Sequence, residues 1–320
     1  MIPETTHEMP SLHAHDCPDA DRIVSDAIRD IGSRIGALAI PRLAGVVLGG
    51  GYGRGEGGVF ADGGLSNDLD FYVVAEDGAT AADIARIGEA LRPVAEEWTA
   101  KLGVDADFCV AKTPWRLRHD EERLMIQELV HGYFDVAGKP GAELFRGVAR
   151  REPSELPAME AVRLLVNRGA GLLLAAADGA APGFVARNVN KAVLGCGDAR
   201  LIARGGYRWR AEERAEALGD PLYSAAVAWK FRPRPVPVCY WGQARDTWLA
   251  AVDAICSDHP DLRARGVRSA LRWTARRRTL GPPRTLGMDP LVRILDEMVP
   301  AVRDRKPFAP SLRRDWEIFN

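Results

Sequence analysis

Cysteine is scarce and unpatterned in this chain. Cys17, Cys109, Cys196, Cys239 and Cys256 are odd in number, scattered, and include no CxxC pair. That excludes a disulfide-framework domain and suits free thiols in a reducing cytoplasm. His13 and His15 stand near Cys17, but no second ligand group has metal-like spacing, so they are set aside as a metal site. Long apolar runs are also missing: none approaches the ~20 residues of a membrane helix. The first residues, MIPETTHEMPSLHAHDCPDA, lack a basic and then apolar signal region, and residues 1–19 read as a flexible lead-in. An excess of one charge is absent as well. The 43 Lys and Arg against 44 Asp and Glu leave a formal net charge of −1, which counts against a dedicated nucleic-acid binder. A cytoplasmic protein with no membrane partner is expected.

What is present is apolar bulk and helical periodicity. Of the 320 residues, 47% are apolar, enough for about two domains. Val24, Ile28, Ile31, Ile35 and Leu38 recur at helical spacing and predict a helix over 20–38. AGVVLGG (44–50) and LDFYVV (69–74) read as buried strands. A helix over 80–101 follows, with Thr80 as its N-cap, Asp83 in its first turn and Pro93 inside it. GVDADFCVA (103–111) alternates with period two and reads as a third strand. Helix, strand, strand, helix, strand predicts an α/β domain over 20–152. EPSELP (152–157) reads as a linker, and the strand signal fades beyond it. Residues 153–320 are expected to form an all-helical domain, interrupted by the proline-rich FRPRPVPV.

The chemistry gathers between the first two strands, in VVLGGGYGRGEGGVFADGGLSNDLDFYVVAE (46–76). Gly53, Gly55 and Gly58 satisfy GxGxxG, but a dinucleotide fold needs that motif to open a helix, and VFADGGLSN is a poor one. A glycine-rich turn exposes backbone N–H groups against which an anion such as a triphosphate can sit. Asp68 and Asp70 follow two positions apart, so a strand would point both to one face. Two carboxylates that close repel. A hard divalent cation such as Mg²⁺ relieves the conflict by bridging carboxylates to phosphates.

This stretch resembles the polymerase-β-like nucleotidyltransferase superfamily. That signature is an apolar strand, Gly-Ser or Gly-Gly, a turn often written G-S-x-x-R-G, and a strand carrying D-x-D. Here Gly50 and Gly51 fill the first pair, Arg54 and Gly55 follow, and NDLDF (67–71) carries the acids. Gly51 stands where serine is commoner, and Asn67 where serine often precedes the first acid. The close match covers about 30 residues, and the order of elements about 110. The resemblance implies an α/β (α+β) catalytic domain with a mixed sheet, then a helical domain covering the nucleotide, in an order similar to that of the antibiotic nucleotidyltransferases. It implies metal ligation by Asp68, Asp70 and a third carboxylate, with two Mg²⁺ ions. Asp105 and Asp107 both offer that third acid, and Asp107, deeper in the apolar run, is preferred. Gly50, Gly51, Arg54, Gly55 and Asn67 would contact the nucleotide, ATP by default. Lys191, in the apolar helix NVNKAVLGCG, would reach the triphosphate or else snorkel to water. Asn167 and Arg168 either line the cleft or are a satisfied buried amide and a solvent-facing cation.

The expected reaction moves an NMP to a hydroxyl of a small-molecule acceptor. A protein side chain is the second choice of acceptor and a tRNA or other nucleic-acid end the third. A nucleotide-binding module without turnover is the non-enzymatic alternative, and the clustered acids count against it. The basic run Arg263 to Arg278 reads as a solvated helix face rather than a nucleic-acid contact.

Overall fold

The computed structural model describes residues 17–237, 239–260 and 290–319. His13, His15 and the basic run Arg263 to Arg278 lie outside the described residues. The chain is mixed α/β and mostly helical. It divides into two compact units, residues 1–151 with 228–234, and residues 152–227 with 235–320.

The first unit opens with α1 (Pro18–Leu38), whose Val24, Ile28, Ile31 and Ile35 form the buried stripe that the spacing predicts, while Leu38, at the last turn, is exposed. Next come β1 (Leu43–Leu48), the one-turn α2 (Gly50–Gly53), β2 (Leu69–Ala75) and α3 (Ala81–Leu102). Thr80 caps α3 in a capping box, its hydroxyl accepting from the Asp83 amide while the Asp83 carboxylate accepts from Thr80 N–H. The Thr80 hydroxyl and amide, together with Arg86, hold the Asp83 carboxyl down at about 2. Pro93 lies inside α3 without ending it.

Four strands make one sheet in the order β3-β2-β1-β4, with β3 (Ala106–Phe108) and β4 (Phe134–Gly138) at its edges. The β1 strand is antiparallel to both β2 and β4, whereas β2 and β3, joined through α3, are parallel. On one face Val46, Leu48, Leu69, Phe71 and Val73 pack with the stripes of α1 and α3. On the other, Val47, Tyr72 and Val74 meet α4 (Pro114–His119), α5 (Leu124–His131) and α6 (Gly141–Leu144) through Leu117, Ile126, Leu129 and Leu144.

Two local differences from the sequence reading have physical causes. The strand expected over 103–111 is regular only over Ala106–Phe108. Val110 is 77% exposed, so the alternation breaks there, and pairing with β2 resumes at Lys112. Residues 228–234, which the sequence reading left in the helical half, belong to the first unit. They end α10 (Pro221–Phe231), and the Phe231 carbonyl accepts from Val59 N–H at 2.9 Å.

The elements described in the second unit are helical. They include α7 (Ala158–Ala175), α8 (Pro182–Ala203), α9 (Ala211–Leu218), α11 (Tyr240–Asp258), α12 (Pro290–Arg303) and α13 (Pro310–Phe319). Indole N–H groups tie α11 to α7: Trp241 donates to Leu172 O at 3.1 Å and Trp248 to Leu165 O at 2.8 Å. Asn167 accepts from the Trp316 indole at 2.9 Å, the satisfied-amide reading of that residue.

Phe71 joins the fold to the acids beside it. It is fully buried, stacks on Phe108 with ring centroids 4.6 Å apart, and follows Asp70 directly in the chain. Phe71→Ala should cost about 3–5 kcal/mol by cavity formation, read as a lower denaturant midpoint. Phe71→Leu should lose clearly less.

Candidate active site

Close approaches of backbone explain the glycines, and at Gly50 the neighbour is a carboxylate. Gly49 N–H donates to Asp70 O at 2.8 Å, which places the turn after β1 against the start of β2. Gly50 sits at φ +62°, and a Cβ there would collide with the Asp70 carboxylate. Both the conformation and the space therefore demand glycine. Gly51 O accepts from Glu56 N–H at 2.8 Å, and Gly55, at φ +69°, donates to Tyr52 O at 3.0 Å, folding the turn back on itself.

Side chains then pin this flexible segment. Tyr52 is buried and donates its hydroxyl to Gly58 O at 2.7 Å. Burial raises its pKa, with Asp68 adding to the rise against the lowering bonds from Asn67 and Ser66, so it stays a neutral donor. Asn67 accepts from Gly58 N–H at 2.6 Å. A Cβ at Gly58 would clash with Lys230 O and Ser66 Oγ, so this glycine also marks a close backbone approach.

Arg54 and Glu56 occupy the turn's interior. The buried Glu56 pairs with Lys230 Nζ at 2.6 Å and lies 3.9 Å from Arg54 Nε. Arg54 Nη1 reaches Glu128 of α5 at 3.3 Å. The sequence reading gave Arg54 to the nucleotide; the structure gives its guanidinium two carboxylate partners within the protein. Glu56, Glu128 and Lys230 were missed. Lys230 lies 174 positions from its partner, so no local pattern points to it. Glu56 carried a weak signal, being the lone acid inside the glycine run.

The acids gather at one end of β2 and β3. Asp70 pairs in register with Asp107 across the parallel strands. Asp68, Asp105 and Asp107 together line a cavity of about 280 Å³, with Thr99 of α3 beside them. Thr99 Oγ1 accepts from Ala106 N–H at 2.9 Å, and Leu69 N–H donates to Asp105 O at 2.8 Å, which fixes where β3 starts. Partial burial raises the Asp107 pKa, and the charges of Asp68 and Asp105 raise it further. Tyr72, two residues beyond Asp70, stays a neutral phenol because burial, then Asp70 and Glu128, push its pKa up.

The structure thus brings together Gly50, Gly51, Gly55, Asn67, Asp68, Asp70, Asp105 and Asp107 around the ends of β1, β2 and β3. Asp105 and Asp107 share the cavity, so both remain candidates for the third acid. Lys191 is half-buried on α8, in the second unit. Among the described residues no group of three or more His, Cys, Asp or Glu side chains stands gathered to hold a metal ion. Asp107 is disfavoured as an anion first by burial and then by the charges of Asp68 and Asp105, and oxygen-rich carboxylates crowded in this way are the ligand type a hard cation takes. No family model, curated protein or solved structure matches this chain.

Two predictions follow from these charges. Lys230→Met leaves Glu56 buried without its ammonium and should cost about 3–5 kcal/mol, whereas Glu56→Met with Lys230→Met should recover much of that loss in urea melts. The raised Asp107 pKa means that its ionised form is disfavoured in the fold. The cost is absent below the unfolded carboxylate pKa and fully present above the folded one. Asp107→Asn should therefore raise the melting temperature in EDTA at pH 7, with the gap closing as pH falls through the carboxylate range.

Proposed function

We propose that the chain is a metal-dependent nucleotidyltransferase of the polymerase-β-like type, moving an NMP, by default AMP from ATP, to a hydroxyl of a small-molecule acceptor and releasing pyrophosphate. The observation that carries this reading is the seating of the Gly50 backbone on the Asp70 carboxylate, at the same end of the sheet where Asp68, Asp105 and Asp107 line one cavity. A phosphate-binding turn and a cluster of hard oxygen ligands are then one device. The mixed sheet, with its paired acids at the start of an inner strand, is consistent with the superfamily the sequence resembles.

Asp68, Asp70 and Asp107 would hold the metal, with Asp105 as the alternative third ligand. When bound, Mg²⁺ supplies charge neutralisation at the phosphates and eases loss of the acceptor proton. The chain's own residues do the rest. The glycine-rich turn leaves backbone N–H groups exposed, and these would serve as donors to phosphate oxygens. Arg54, held by Glu128 and Glu56, acts through the turn by fixing its shape. The acceptor oxygen forms a bond to the α-phosphorus, the bond from that phosphorus to the β-bridging oxygen breaks, and the hydroxyl proton passes to the third carboxylate. Substitution of that acid should reduce turnover far more than NTP binding.

The reading is tested with labelled NTPs, Mg²⁺ and a metabolite extract, with adducts found by mass spectrometry. Asp68→Asn and Asp70→Asn should abolish adducts and Mg²⁺-dependent NTP binding while keeping or raising the melting temperature in EDTA. NTP binding that survives in both variants would sink the proposal. Variants that unfold in EDTA would make the acids structural.

A further inference from the structure

The second unit holds a larger cavity that the proposed transfer does not use. It measures about 570 Å³, within the ~300–1,000 Å³ of small-molecule sites. Val185 and Val189 of α8 give it an apolar wall, and Trp241, at the start of α11, contributes the indole. The Trp241 ring is fixed by its bond to Leu172 O, so this surface is preformed.

Two guanidiniums approach that one ring and line the same cavity, Arg305 at 5.1 Å and Arg245 at 5.8 Å from the centroid. The aromatic face accounts for part of this arrangement, but it leaves two like charges converging on one apolar wall. Arg245 shares its charge with the exposed Asp246 at 2.8 Å. Among the described residues, Arg305 makes no ion pair. Asp178 also lines the cavity and adds one acceptor.

We propose that this cavity binds a small organic anion with a planar apolar body, an aromatic carboxylate or its like. Arg305 takes the anionic group, Arg245 supports it, and the wall of Val185, Val189 and Trp241 takes the body. The site is independent of the nucleotidyl-transfer reading, since every residue it uses belongs to the second unit.

The full-length protein is titrated with anilinonaphthalene sulfonate, an aromatic anion whose fluorescence rises in apolar sites. One equivalent should bind saturably. Arg305→Gln should weaken it by about tenfold or more, the loss expected of one charge-assisted hydrogen bond. Gly242 also lines the cavity, and a Cβ there meets nothing within 4 Å. Gly242→Leu should therefore fill the space without straining the helix, and should abolish binding at an unchanged melting temperature. Naphthoate should compete and naphthylmethylamine, the same body with opposite charge, should not. Binding unaltered in both variants would overturn the site. Loss in Gly242→Leu alone, or equal competition by both naphthalenes, would overturn the assignment of an anion. Asp68→Asn should bind the probe as the parent does, so this test and that of nucleotidyl transfer fail separately.

Discussion

Asp70 forms part of a cluster of negative charge at one end of the β2–β3 pair, and main chain must come directly against its carboxylate. No side chain fits between them. Gly50 meets that constraint with a positive φ and an empty Cβ position, and the rest of the turn follows. Asp70 is followed directly by the fully buried Phe71, so the core holds this carboxylate's backbone in place. Its neighbours Asp68, Asp105 and Asp107 open to a common cavity, so the charge is concentrated where solvent and small molecules can enter.

A turn so rich in glycine loses more chain entropy on ordering than other sequences would. Unanchored, it would sample many shapes and hold no ligand in one geometry. The anchors come from three kinds of interaction. Tyr52 closes the turn with a neutral hydroxyl, Asn67 with an amide oxygen, and Glu56 with an ion pair in a nearly dry interior. Tyr52 and Asn67 hold the two sides of one residue, the carbonyl and the N–H of Gly58, while Glu56 ties the turn to Lys230. Glycine supplies the shape, and the side chains interleaved with it and following it supply the rigidity.

The sequence made β1, β2, α1 and α3 legible because each buries a regular apolar stripe and α3 carries its cap in plain view. β4 escaped notice because none of Phe134–Gly138 is fully buried and Asp135 is its second residue, as suits an edge strand. The third strand was placed correctly but drawn too long, since an exposed Val110 looks apolar on paper and is solvated in the fold. In the site, D-x-D and the glycines could be found from spacing alone. The partners of Arg54 could not, because Glu128 and Lys230 reach the turn through tertiary packing. For the same reason nothing near the glycines pointed to Lys230, the lysine bound into the turn. The choice between Asp105 and Asp107 stayed open because residues two apart on a strand share a face, and the structure places both at the same cavity.

The late return of residues 228–234 has a consequence for how the protein is made. A ribosome delivers the glycine turn, both acid-bearing strands and most of the first unit long before it delivers Lys230. Until then Glu56 has no ammonium to meet it and Val59 no Phe231 carbonyl to pair with. The nascent chain can build the sheet early, but the turn waits unfinished while α7, α8 and α9 are synthesised. The glycine turn is therefore completed late, well after the sheet it joins has been made.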